Sequence, residues 1–84
     1  MKEFYWTRDL STAAFLLTAH SIHFEGLDAN YDGSKSFLFS PKAKAEKLAS
    51  DFIAGKALVN ARLYSDVLRR AKTILFQAER EKKS

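Results

Sequence analysis

Asn30-Tyr31-Asp32-Gly33 sits between two runs of strand-like apolar residues, and more than any other stretch it limits what this chain can fold into. Asn first and Gly fourth suit a type I turn closed by a glycine in the left-handed region, a common form of three-residue hairpin loop. A loop of Tyr31, Asp32 and Gly33 sets Leu27 opposite Phe37. Strict alternation then throws Ile22 and Phe24 onto the other face, because they differ in parity from Leu27. One extra residue at Glu25-Gly26 repairs the mismatch, and glycine is a favoured bulge residue. Residues 21–39 are therefore predicted to form a hairpin with Ile22, Phe24, Leu27, Phe37 and Phe39 on one face.

An isolated hairpin is marginal in water, so its apolar face needs a cover. The flanking segments supply it. Phe4-Tyr5-Trp6-Thr7 reads as a first strand with Phe4 and Trp6 on one face, its aromatics counted with those of the hairpin as core. Asp9, or Thr7, can cap a helix from about Leu10 to Ala19. That helix is apolar around most of its girth, which marks a central position. Its adjacent Ala13 and Ala14 allow close approach of another backbone. Ser40 as N-cap, Pro41 at the first helical position and Gly55 just past the end bound a second helix. Ala45, Leu48, Ala49, Phe52 and Ile53 form its stripe. Leu58 and Val59 in the connector are expected to plug the core.

Asn60 can cap a last helix that continues to about Lys82. Tyr64, Val67, Leu68, Ala71, Ile74, Leu75 and Ala78 make its inward face. The order β-α-β-β-α-α predicts an α+β fold. The expected form is one two-layer domain, a three-stranded, mainly antiparallel sheet with three helices on one face. Residues 1–84 read as a single domain with its core in 4–78, and the charged end 79–84 is expected to fray or project.

Tyr5-x-Thr7-x-Asp9, the following Ala13-Ala14-Phe15-Leu16, Phe37-x-Phe39, Phe52, Gly55 and an aromatic-led last helix from Tyr64 form a recurring pattern. On these residues the chain resembles a family of small bacterial and phage proteins catalogued only as a domain of unknown function. The resemblance covers roughly residues 4 to 76 and implies a bacterial or phage setting. It departs from the family pattern at Ala19-His20-Ser21, where a glycine often follows the first helix. Every matching position is apolar, a cap or a turn, so the resemblance carries no catalytic or binding residue.

Chemistry is sparse. No cysteine occurs among the 84 residues, which points to a reducing compartment, and the cytoplasm is the expected location. No apolar run nears the ~20 residues of a membrane span, and Met1-Lys2-Glu3 lacks a secretory layout. His20, His23 and Glu25 lie close in sequence, but a metal site needs three or four convergent ligands. His20 is expected at a helix end and His23 on a solvated strand face, so no metal or other cofactor is expected. Neither a Gly-x-Ser-x-Gly elbow nor a phosphate-binding glycine loop is present. The chain is read as not an enzyme, with no evident small-molecule substrate and no membrane partner.

Charge is the one functional signal. Residues 1–59 balance seven Lys or Arg against seven Asp or Glu, whereas residues 60–84 carry seven against Asp66, Glu79 and Glu81. The whole net charge of +4 therefore lies in this last segment. On a helical wheel Arg62, Arg69, Lys72, Thr73, Phe76, Arg80 and Lys83 fall opposite the core stripe, with Asp66 at the margin. Spaced cations with one exposed aromatic suit phosphates and a stacked base. The expected function is a small binding module that contacts nucleic acid through this face. The alternative is a protein-interaction or homo-oligomerisation module that uses the same helix, with Phe76 as anchor and the charges as rim.

Overall fold

A computed structural model of the chain describes residues 3–82, with side chains described as far as Ala78. Its elements are β1 (Tyr5–Thr7), α1 (Leu10–Thr18), β2 (His23–Ala29), β3 (Lys35–Ser40), α2 (Lys42–Ile53) and α3 (Ala61–Lys82), in the predicted order. The fold is α+β. The sheet is antiparallel, with β3 between its two neighbours in the order β1-β3-β2.

The hairpin has the predicted register. Leu27 lies opposite Phe37, and the pairing shifts by one residue between Phe24 and Gly26. Gly26 takes a φ of 122° and Gly33 a φ of 88°, both in the range that favours glycine. The Gly33 N–H donates to the Asn30 carbonyl at 3.0 Å, closing the turn. Tyr5 and Thr7 of β1 face Phe39 and Phe37, so the covered face of the sheet is built around these two fully buried rings. The alternation then turns Trp6 outward beside Leu38, where it is 59% exposed. The aromatics of the first strand are therefore not all core residues. Three residues have no internal signal of which parity faces the helices; the pairing with β3 decides it.

All three helices contribute to one core cluster with Phe37 and Phe39. α2 lies on β1 and β3, where Ala45 and Ala49 let it approach closely, while α3 packs mainly along α1. α1 is thus enclosed, and Thr12 to Leu16 are all buried, as its apolar girth predicts. Asp9 caps it, its carboxylate accepting from the Thr12 N–H at 3.0 Å. Asn60 caps α3 by accepting from the Leu63 N–H at 2.9 Å. Val67 and Ala71 are buried, and Tyr64, Leu68, Ile74, Leu75 and Ala78 half-buried, as the stripe predicts.

Three local expectations are corrected. Ser40 does not cap α2. It ends β3 opposite His23, its hydroxyl donates to Glu25, and Pro41 occupies the cap position. Leu58 and Val59 do not plug the core, being 100% and 38% exposed, and only Ala57 of the connector reaches the cluster. Ile53 is 70% exposed and lies outside the stripe that Ala45, Leu48, Ala49 and Phe52 make. For the connector the cause is the exit from α2. Gly55 at φ 76° ends the helix, with the Gly55 and Lys56 N–H groups donating back to Phe52 and Asp51. This left-handed turn directs the connector away from the core.

Among the described residues no helix is long and apolar enough to cross a membrane. The backbone of α3 continues as helix to Lys82. The expected fraying of 79–84 concerns side chains and a terminus outside the described residues.

Candidate functional site

The outer face of α3 is defined by what its inner face must do. With Val67 and Ala71 buried against α1, residues about 180° around the helix have no neighbour to meet. Arg62, Arg69, Lys72 and Thr73 are exposed, and Phe76 is 65% exposed. Five of the six predicted site residues therefore share one surface. Arg80 lies on the helical backbone of the same element, with its side chain outside the described residues.

The electrostatics of this surface are one-sided. The ion pairs among the described residues join Arg8 to Asp32, Lys42 to Glu3 and Lys47 to Asp51. None involves α3. Asp66 stands four residues from both Arg62 and Arg70, yet no pair within 4.0 Å forms, so these guanidinium groups remain open to an external anion. The Thr73 hydroxyl donates to the Arg69 carbonyl at 3.1 Å, and this back-bond engages its one donor within the helix. Thr73 thus offers a lone pair more readily than a proton. Phe76 has the area to stack on or bury against a ligand, and its exposure shows that it is not held in its own core.

Other constellations are less developed. His20 lies in the turn after α1, His23 pairs with Ser40, and Glu25 accepts from the Ser40 hydroxyl. Among the described residues no three His, Cys, Asp or Glu side chains converge as a metal would require. At the hairpin tip Asp32 accepts from Arg8 at 2.6 Å and from the Ser34 hydroxyl and N–H at 2.6 and 3.0 Å. The bonds from Ser34, then that from Arg8, lower its pKa to about 2. This cluster is internally satisfied and ties the β1–α1 loop to the turn. Burial, with Glu46 and Asp9 nearby, raises the Tyr5 hydroxyl above its ordinary value. That tyrosine is half-buried and packs against the core cluster.

Sequence reasoning missed a second exposed surface. Ile53, Leu58, Val59 and Leu63 all lie within eleven residues and are 70%, 100%, 38% and 45% exposed. Ile53, Leu58 and Val59 carry core-like character in the sequence, Leu63 belongs to neither predicted face of the last helix, and only the left-handed exit at Gly55 carries the opposite signal.

No protein-family model matches the chain, and comparison with curated proteins and with solved structures likewise finds no match.

Proposed function

We propose that this chain is a small, non-catalytic module that binds nucleic acid through the outer face of α3. The observation that carries this reading is the row of Arg62, Arg69 and Lys72 beside an exposed Phe76, with none of the three cations in an ion pair among the described residues. Unpaired cations at one- and two-turn intervals neutralise phosphates and release condensed counterions. An exposed phenyl ring beside them stacks on an unpaired base without reading its identity. Single strands, whose bases are free to stack, are the favoured ligand. Thr73 accepts a hydrogen bond from a base or sugar.

Salt response tests this directly. Three phosphate contacts on a single strand give a slope of roughly −2 in log affinity against log salt. Anisotropy of a labelled mixed-sequence oligonucleotide, measured over a tenfold range of salt, reads that slope. A protein contact anchored by Phe76 through this helix instead gives a salt-insensitive association and no response to the oligonucleotide.

A further inference from the structure

Three side chains of the α3 outer face stand in one line. Arg69, Thr73 and Phe76 follow one another at helical spacing, within about 60° of arc and at steps of about 6 and 5 Å along the axis. All three are exposed, Phe76 at 65%. A cation comes first, a hydroxyl second and an aromatic ring third. One nucleotide presents its parts in a matching order, phosphate, sugar and base. The guanidinium takes the phosphate and the ring takes the base, which leaves Thr73 beside the sugar.

Thr73 brings a restricted chemistry to that place. A threonine hydroxyl has one proton and two lone pairs. The proton of Thr73 is directed to the Arg69 carbonyl at 3.1 Å, so toward a ligand its oxygen accepts. Within a strand the 2′-hydroxyl is the one donor a ribose carries, and a deoxyribose carries none. Phosphates and base faces are alike in RNA and DNA, so Arg62, Arg69, Lys72 and Phe76 do not tell the two apart. The other polar side chains lie outside the interval. Ser65 and Asp66 precede Arg69, and Gln77 follows Phe76. Between Arg69 and Phe76 only Thr73 has a side chain that can accept a hydrogen bond.

Building on the reading of this face as a single-strand site, we propose that it selects RNA over DNA. The Thr73 oxygen accepts a hydrogen bond from the 2′-hydroxyl of the nucleotide held by Arg69 and Phe76. The probes are a labelled mixed-sequence single-stranded RNA, the matched DNA with deoxyuridine for thymidine, and the matched 2′-O-methyl RNA. Anisotropy at low salt is expected to show RNA bound about three- to tenfold more tightly than DNA, as one hydrogen bond gives. The 2′-O-methyl strand, which lacks the donor, should bind like DNA. Thr73→Val keeps the shape and removes the acceptor. It should lower RNA affinity to the DNA level and leave DNA affinity unchanged, whereas Thr73→Ser should keep the preference. Equal wild-type affinity for RNA and DNA, with the salt slope intact, overturns the proposal while the phosphate and base contacts stand. An RNA preference that persists in Thr73→Val, or in the 2′-O-methyl strand, also overturns it. Absence of saturable binding to any of the three strands overturns it together with the single-strand site itself.

Discussion

Phe15 of α1 stacks on Phe52 of α2, with ring centroids 4.6 Å apart and planes 10° from parallel. Phe52 in turn meets Tyr64 of α3, so one run of three rings joins the three helices. Phe15 is the buried member at 6% exposure. Truncating a buried phenylalanine costs about 3–5 kcal/mol, and a small domain has little more than that in total. Phe15→Ala should therefore leave the chain largely unfolded, whereas Phe52→Leu, at a half-buried site, should fold with a lowered melting temperature. Far-UV circular dichroism checks both, and a well-folded Phe15→Ala would show that the ring run is not central.

The hairpin turn gives a cleaner comparison. Gly33 sits at φ 88°, a region asparagine tolerates and a β-branched residue does not. Gly33→Val should lose about 1–2 kcal/mol relative to glycine, and Gly33→Asn clearly less. Urea denaturation of the two variants measures the gap; equal midpoints would contradict the turn geometry.

Asp32 predicts a pH dependence with a definite sign. Its folded-state pKa is lowered to about 2 by Ser34 and Arg8, so the ionised form favours the fold. The contribution is complete above the ordinary aspartate value of 3.8 and is lost as pH falls toward 2. Asp32→Asn removes it. The difference in melting temperature between wild type and variant should shrink from pH 4 to pH 2. A gap that stays constant would mean that the Ser34 and Arg8 contacts do not persist in solution. The group is fully solvated, so the effect should be small.

Much of the fold is legible in the residues because local signals agree. Asn30 and Gly33 define the loop, and Gly26 absorbs the parity mismatch between Phe24 and Leu27. The outward row of α3 follows from helical periodicity once Val67 and Ala71 point inward. What could not be read depends on partners distant in sequence. Ser40 looks like a cap until its pairing with His23 keeps it in the sheet. Trp6 looks like core until β3 fixes which face of a three-residue strand is covered. Leu58 and Val59 carry core-like composition, and the left-handed turn at Gly55 sends them outward. Hydropathy alone has no access to that direction.

The central claim is that the outer face of α3 binds single-stranded nucleic acid, and reversing Arg69 and Lys72 to Glu tests it most directly. Both side chains are exposed and in no ion pair among the described residues. The double variant should therefore fold normally, with a stability change of about 0.5 kcal/mol or less per site. Its affinity for a labelled mixed-sequence single strand at low salt should fall below detection, and Phe76→Ala should cost about 1–3 kcal/mol of binding with its salt slope intact. A folded double variant that binds the strand as the wild type does, or a wild-type protein silent toward nucleic acid at low salt, would contradict the account.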